Sequence, residues 1–201
     1  MPVTRRLLIA AATLLPFPGI ARAQDADPRM ADRTLGAADA KVVVTEWFSL
    51  TCSHCAGFQK ETFPQVRAKL IDTGRVRYVW RDYPLDQVAL TAAMVARGLP
   101  EERYEPFVTA LLASQDRWAF ARGVNATDEL AKYAALAGMS RTTFNLTIGD
   151  AQLKKAILTA QEEAEKKYKV TSTPSFIINE KLTSGAVSYA DFEKAVDAAA
   201  A

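Results

Sequence analysis

The first half of the chain alternates between short apolar stretches and one helical pattern. Residues 41–48 form an almost continuous β-branched and aromatic run, which is typical of a buried, parallel strand. Residues 52–70 place apolar side chains at three- and four-residue steps, which predicts a helix that Pro64 kinks. Residues 75–83 alternate between arginines and apolar side chains, so they predict a second strand that ends before Pro84.

The middle of the chain changes to helical periodicity and shows no strand pattern. Between residues 85 and 168, several stretches repeat apolar side chains at helical spacing. Strand patterns return at residues 175–178 and 181–187, and a final helix covers residues 189–199 with Ser188 as its N-cap. Because strands flank the helical block, the pattern predicts one α/β sheet interrupted by an all-helical insertion.

Residues 1–23 have the three parts of a removable export signal. Two arginines precede an apolar stretch at residues 7–20, which is too short to span a bilayer, and residues 21–23 read Ala-Arg-Ala, a typical cleavage site. A retained anchor helix is the alternative, and both the Sec and the Tat export routes stay open. We expect a periplasmic mature protein that begins with a mobile lead-in at residues 24–33.

Composition and charge narrow the range of partners. Hydrophobic residues make up 49% of the chain and charged residues 24%, as in an ordinary soluble globular protein. The formal net charge is +2, and loss of the three arginines in the signal would make it slightly negative. This balance argues against a nucleic-acid or membrane-surface partner.

Both cysteines and the single histidine of the chain lie in the stretch Cys52-Ser53-His54-Cys55. Export would place them where thiols oxidise. A disulfide across so small a loop contributes only about 2 kcal/mol, so the pair is better suited to reacting than to bracing the fold. Free N–H groups and the dipole at a helix start favour a thiolate at Cys52, and His54 would add to that effect. We therefore expect Cys52 to be the exposed attacking sulfur and Cys55, one turn deeper, to resolve the mixed disulfide.

Other interpretations of this pair stay open. A structural zinc site needs four ligands, and the sequence contains no second Cys/His pair. An inert disulfide and a His54 without any role are further alternatives. A thiol protein that binds Cu(I) or another soft metal without catalysis is the non-enzymatic alternative. We predict no cofactor and no resident metal.

Two more positions carry candidate chemistry. Glu46 lies in the apolar run six residues before Cys52, where it could shuttle a proton to or from Cys55, or else pair with a surface lysine or arginine. Thr173-Pro174 directly precedes an apolar strand. If that proline is cis and faces Cys52, the Thr173 backbone could bind an extended substrate chain; a trans turn is the alternative.

With these residues in view, the chain resembles the thioredoxin superfamily, and within it the DsbA-like exported thiol–disulfide oxidoreductases. The resemblance covers nearly all of the sequence after the signal. It rests on Leu35-Gly36, Asp39-Ala40, Glu46-Trp47-Phe48-Ser49, Cys52-Ser53-His54-Cys55, Phe63-Pro64, Arg81-Asp82-Tyr83-Pro84-Leu85 and residues 170–179. Ser53 departs from the proline common in DsbA, Ser172 and Glu180 stand where relatives often have glycine, and Thr173 is more typical of isomerase-type members.

The resemblance implies a fold, a site and partners. It implies a thioredoxin-like domain at residues 34–84 and 169–201, with the helical insertion at residues 85–168. It also implies that Thr173-Pro174 forms a cis-proline loop facing Cys52, and that a DsbB-like membrane oxidase reoxidises the protein. We expect a monomeric oxidase acting on reduced exported proteins. The alternative enzyme is a disulfide isomerase or reductase kept reduced by a membrane donor.

Overall fold

The computed structural model describes residues 27–201, so the predicted export signal at residues 1–23 lies outside the described residues. The strands are β1 (Arg33–Leu35), β2 (Val42–Phe48), β3 (Val76–Asp82), β4 (Ser175–Ile178) and β5 (Lys181–Ser184). The helices are α1 (Ser53–Glu61), α2 (Phe63–Val66), α3 (Gln87–Gly98), α4 (Glu101–Leu112), α5 (Gln115–Trp118), α6 (Ala126–Leu136), α7 (Arg141–Ile148), α8 (Ala151–Tyr168) and α9 (Tyr189–Ala200).

One mixed sheet organises the described part of the chain, in the strand order β1-β3-β2-β4-β5. The central strand β2 runs parallel to β3, as the apolar run at residues 41–48 predicted. The other pairs are antiparallel. Glu46 sits in the middle of the sheet, opposite Trp80 on one side and Phe176 on the other. A carboxylate in that position lies far from water, which matters for the site below.

The helix after β2 is broken where the sequence predicted a kink. Helix α1 ends at Glu61, and α2 begins at Phe63 with Pro64 in its first turn. Proline has no N–H to donate to the preceding turn, so the hydrogen-bond ladder is interrupted there. A five-residue π-helical turn, Arg67–Ile71, follows before Gly74 turns the chain towards β3.

All the described residues between β3 and β4 that belong to regular structure are helical, which confirms the all-helical insertion within a thioredoxin-like sheet. Helices α5 and α7 were not predicted. Helix α5 is a single turn, and α7 is rich in threonine, which is a weak helix former. Ser140 compensates at α7 by accepting a hydrogen bond from the backbone N–H of Thr143 (3.1 Å). At the end of the chain, Ser188 caps α9 as predicted.

The expectation of a mobile lead-in at residues 24–33 is wrong from residue 27 onward, where the chain forms regular structure. Residues 28–30 form a 3₁₀ turn, and Arg33 begins β1 by pairing with Trp80 of β3. Arg29 joins Asp27 (2.6 Å) and Asp150 of the insertion (2.7 Å). The sequence pattern missed this order because the contacts with Trp80 and Asp150 reach across the fold rather than along the chain. The division at residues 84 and 169 stays a prediction.

Two apolar layers enclose the sheet. The main core gathers aromatic side chains from α1, α2, β3, β4 and α9: Phe58, Phe63, Tyr78, Trp80, Phe176 and Phe192. A smaller cluster packs the C-terminal half of α8 against the opposite face, around Trp47 and Ile177. No helix within residues 27–201 is both long enough and apolar enough to span a bilayer.

A buried ion pair connects the insertion to the sheet. Arg97 of α3 is fully buried and donates from Nε to the Asp82 carboxylate at the end of β3 (2.6 Å). Its other nitrogens donate to the carbonyl oxygens of Ala31 (2.8 Å) and Trp80 (3.3 Å). Removing one partner of such a pair leaves a buried charge without compensation, so loss of either side chain is expected to destabilise the fold strongly.

Candidate active site

Cys52 begins helix α1, at the point where the chain leaves β2. A turn closed by the Cys52 N–H and the Ser49 carbonyl (3.1 Å) carries the chain from the strand to the helix. Cys52 is extended (φ −82°, ψ 118°) and acts as the N-cap: its Sγ accepts a hydrogen bond from the backbone N–H of Cys55 (3.3 Å). The sulfur thus takes the place of a serine oxygen at the electropositive end of the helix. Both cysteines are free thiols.

The loop before β4 covers this sulfur. The Thr173–Pro174 peptide bond is cis, and the Thr173 carbonyl oxygen lies 3.3 Å from Cys52 Sγ, where it accepts from the thiol. The expectation of an exposed Cys52 is wrong in this structure, because only 6% of the residue is accessible. The reason is the covering Thr173-Pro174 loop, 121 residues further along the chain: the resemblance predicted that this loop faces Cys52, but not that it buries the sulfur.

The pKa of Cys52 is lowered from 9.0 to about 5. The first cause is the neighbouring side chain of Cys55, which favours the Cys52 thiolate; burial acts in the opposite direction. The backbone N–H groups of Cys55 and His54 also favour the thiolate, as does the nearby Thr173 side chain, although its hydroxyl completes no hydrogen bond. Donors at the start of α1 therefore outweigh both the burial and the nearby carbonyl.

Cys55 has the opposite environment, one helical turn deeper. It is fully buried, and burial raises the pKa of its thiol, with further increases from Cys52 and Glu46. A deprotonated Cys55 would face two negative groups without access to water. The two sulfurs of the pair are therefore unequal, and only Cys52 is a stable thiolate near neutral pH.

Glu46 lies buried beneath the pair and not at a surface ion pair. It is 3% exposed, and the Tyr78 hydroxyl donates to its Oε2 at 2.8 Å. Burial is the main cause that raises its pKa to about 7; Tyr78 opposes this, and Cys52 adds to it. The Trp80 indole also favours the charged form, although its N–H completes no hydrogen bond. The alternative of pairing with a surface lysine or arginine is wrong, and the carboxyl group can hold or release a proton near neutral pH.

Ser53 and His54 occupy the outer face of the first turn, and both are exposed. The contribution of His54 to the Cys52 thiolate comes from its backbone N–H. Its imidazole forms no hydrogen bond with any residue in the part of the chain that the structure describes. The role predicted for the His54 ring therefore rests on its charge alone.

Three further residues hold the active-site turn and were not predicted. The Gln115 side chain of α5 donates to the carbonyl oxygens of Leu50 (2.9 Å) and Cys52 (3.0 Å). Thr51 donates to the carboxylate of Asp86, the N-cap of α3 (2.7 Å). The N-cap role of Asp86 has a sequence signal, an aspartate just before an apolar helix. Gln115 has none, because it reaches the turn only through the tertiary fold.

Comparison with known proteins agrees with this geometry. A family model described as thioredoxin matches residues 29–198. The chain is similar to the solved structure of alpha-DsbA1 from Wolbachia pipientis, with a TM-score of 0.77 and 30% identity over 93% of this chain and 94% of that one. It is also similar to a protein-disulfide isomerase from Novosphingobium aromaticivorans, with a TM-score of 0.72, 26% identity and 83% and 96% coverage.

Curated relatives include two rickettsial proteins named as protein-disulfide oxidoreductases. The Rickettsia bellii protein is 30% identical over 74% of this chain and 57% of its own length. The Rickettsia typhi protein is 30% identical over 84% of this chain and 62% of its own length. The chain therefore spans about three fifths of these relatives.

Proposed function

Because this chain belongs to the DsbA-like branch of the thioredoxin superfamily, we propose that it is a thiol–disulfide oxidoreductase that introduces disulfides into exported proteins. One observation carries the proposal. Two cysteines one helical turn apart have pKa values displaced in opposite directions, Cys52 downwards and Cys55 upwards. Such a pair separates the attacked sulfur from the resolving sulfur.

The first step breaks the disulfide of the oxidised protein. A thiolate of the reduced substrate attacks Cys52 Sγ, a new bond joins substrate and Cys52, and the Cys52–Cys55 bond breaks. The electron pair of the broken bond leaves on Cys55. That sulfur is buried and disfavours charge, so it takes up a proton. Glu46, buried beneath the pair with a pKa of about 7, is the proton donor we propose for this transfer.

The second step releases the product. A second substrate thiolate attacks the substrate sulfur bound to Cys52, the substrate disulfide forms, and Cys52 leaves as a thiolate. The substrate loses two electrons and the protein gains them. Cys52 is a good leaving group because its conjugate acid is strong. Thr173 and Pro174 lie across the sulfur, where the Thr173 backbone can align an extended substrate chain.

The same asymmetry favours oxidation of substrates over their reduction. A stabilised Cys52 thiolate stabilises the reduced protein and makes its disulfide the stronger oxidant. The charge of His54, exposed beside the sulfur, would add to this effect. Turnover then needs reoxidation, for which we propose a DsbB-like membrane oxidase. We further propose that the protein acts as a monomer in the periplasm, after export directed by residues 1–23.

The test is equilibration of the purified protein in glutathione buffers of known ratio. The fraction of protein with the Cys52–Cys55 disulfide gives the reduction potential. We expect a potential less negative than about −200 mV, and catalysed oxidation of a reduced, unfolded substrate protein. Cys55→Ala should trap a mixed disulfide at Cys52, and Ser53→Ala, on the exposed face, is the matched control. A potential near −270 mV, about that of a general reductant, would refute the oxidase assignment.

Isomerase or reductase activity is the second candidate. Thr173 before the proline favours it, as does the similarity to the Novosphingobium isomerase. The resting redox state in the native compartment separates the two functions. An oxidase rests mainly as the disulfide, whereas an isomerase rests as the dithiol. Trapping free thiols with an alkylating reagent in intact cells measures this directly.

A further inference from the structure

The helical insertion reaches into the active-site turn through the amide group of Gln115. Its nitrogen lies 2.9 Å from the Leu50 carbonyl oxygen and 3.0 Å from that of Cys52. All three residues are buried, with Gln115 only 8% exposed. An amide NH₂ group has two hydrogens, so one side chain can satisfy both carbonyl groups. Glutamine is therefore matched to this position by its donor count.

Hydrogen bonds and packing anchor helix α5 against α4, so the Gln115 side chain starts from a fixed backbone position. Trp118 is fully buried and donates from its indole to the Leu111 carbonyl oxygen (2.8 Å). Ser114, the N-cap, donates to the Ala110 carbonyl oxygen (2.6 Å). A side chain fixed by its own helix loses little further entropy when it binds the turn.

The contact acts on the reacting residue itself. The Cys52 carbonyl oxygen accepts from the Ala56 N–H (3.1 Å), the first bond of helix α1, as well as from Gln115. Two donors therefore set the direction of the peptide group that follows Cys52. Carbonyl oxygens carry partial negative charge, and donors to them reduce the repulsion that a nearby thiolate feels. Without Gln115, the Leu50 carbonyl would lose this donor and the Cys52 carbonyl would keep only Ala56, so less of this charge would be compensated in a buried site.

We propose that Gln115 is a positioning residue, whose amide group holds the Leu50–Cys52 turn in the orientation that stabilises the Cys52 thiolate. The inference rests on the proposed thiol–disulfide exchange at Cys52. The insertion would then take part in the chemistry, because the acidity of Cys52, at the start of α1, would depend on a side chain from the helical insertion.

The test compares Gln115→Met with Gln59→Met. Both variants remove a glutamine that links the insertion to the rest of the protein. Gln59 of α1 donates to the Thr109 hydroxyl of α4 (3.1 Å), away from the Cys52 carbonyl. The measurements are the ultraviolet absorbance of the Cys52 thiolate against pH, the glutathione equilibrium, and the denaturant unfolding of the oxidised and reduced forms.

For Gln115→Met we expect the pKa of Cys52 to rise by about half a unit to one unit, the size of one or two lost hydrogen bonds. The glutathione equilibrium should move about threefold to tenfold towards the disulfide, because the reduced form loses more stability than the oxidised form. Gln59→Met should lose some stability equally in both forms and leave the pKa of Cys52 unchanged.

A merely structural Gln115 would give a different result. Both redox forms would then lose equal stability, with no movement of the thiolate titration, and the inference would be overturned. If Gln115→Met does not fold, Gln115→Glu is measured instead. Its carboxyl group keeps the shape but places a charge by the two carbonyls, so the pKa of Cys52 should rise further. An unchanged titration in that variant also overturns the inference.

The failure of the proposed function would look different again. In that case the unmodified protein itself would show a Cys52 with ordinary acidity and no catalysis of disulfide formation. An active unmodified protein, together with a Gln115→Met variant of unchanged titration, refutes only the role of Gln115.

Discussion

Lowering the pH should remove most of the stability that the reduced protein gains from Cys52, while the oxidised protein has no such thiolate to lose. The folded pKa of this thiol is about 5, against an ordinary value of 9.0. A folded pKa that is depressed contributes stability that is complete above the unfolded value and is lost as the pH falls through the folded value. The relevant window therefore runs from about pH 9 down to about pH 5.

The size of the effect follows from the two pKa values. At pH 7 the unfolded thiol is almost fully protonated and the folded one almost fully ionised, which corresponds to about 2.7 kcal/mol of stability. At pH 4 the contribution is close to zero. Above pH 9 the raised pKa of Cys55 has the opposite sign, because the unfolded chain then ionises a sulfur that the folded protein keeps neutral. Between pH 4 and pH 8 Cys55 contributes little, so the pH dependence of the reduced protein's stability there reports mainly on Cys52.

The assay is urea unfolding of the oxidised and the reduced protein in matched buffers from pH 4 to pH 8. Subtracting one free energy of unfolding from the other removes most contributions of groups such as Glu46 that titrate in both forms. The difference should grow by about 2–3 kcal/mol in favour of the reduced form between pH 4 and pH 7. Cys52→Ser can form neither the disulfide nor this thiolate, so its single form is compared with the reduced unmodified protein, and the rise of about 2–3 kcal/mol should be missing from its pH profile. Parallel pH profiles for the two redox forms would refute the reasoning.

Three further predictions concern single side chains. Glu46→Gln should stabilise the protein by up to about 3 kcal/mol at pH 7–8 and have little effect below pH 4.5. The reason is that ionising the buried Glu46, whose pKa is raised to about 7, lowers the free energy of unfolding increasingly from pH 4.5 upwards. Urea unfolding against pH measures this, and an equal effect at all pH values contradicts it. Arg97→Met should cost about 3–5 kcal/mol by leaving the Asp82 carboxylate buried without its partner, and the double variant with Asp82→Leu should cost less. Gly36→Ala should lower the free energy of unfolding by at least about 2 kcal/mol, because its φ is +90° and the added Cβ would lie 2.3 Å from a backbone oxygen. Gly123→Ala is the control: its φ is +75°, but nothing lies near the added Cβ, so it should cost about 1 kcal/mol in the same thermal or urea unfolding.

Much of this architecture was predictable because it follows from patterns of apolar and polar residues that are close together in the chain. The apolar run at residues 41–48 could only be stable with both faces covered, and β2 is the centre of the sheet. The spacing of Cys52 and Cys55 across one turn predicted their unequal environments, which the structure has. The helical block between strands predicted the insertion. In the first two cases the information lies in neighbouring residues, and in the third it lies in the order of such local patterns along the chain.

The features that sequence reasoning missed depend on distant contacts. Strand β1 has three residues and owes its existence to pairing with β3, so it shows no periodicity of its own. The resemblance predicted that the Thr173-Pro174 loop faces Cys52, but not that it covers the sulfur from 121 residues away, and nothing in the sequence predicted that Gln115 contacts the turn from 63 residues away. The position of Glu46 beneath the sulfurs was one of two open alternatives until its partner, Tyr78, could be seen. Residue type and spacing alone do not indicate which residues far apart in the chain will be in contact.

The covering of Cys52 by Thr173 has a consequence for the newly made chain. Synthesis proceeds from the N-terminus, so both thiols emerge long before the segment that shields one of them. Until this segment is made, β2 lacks β4, one of its neighbours in the sheet, and the Thr173 carbonyl cannot yet cover Cys52. The C-terminal segment from residue 173 onward is thus what shields Cys52, and it is the last part of the site to be made.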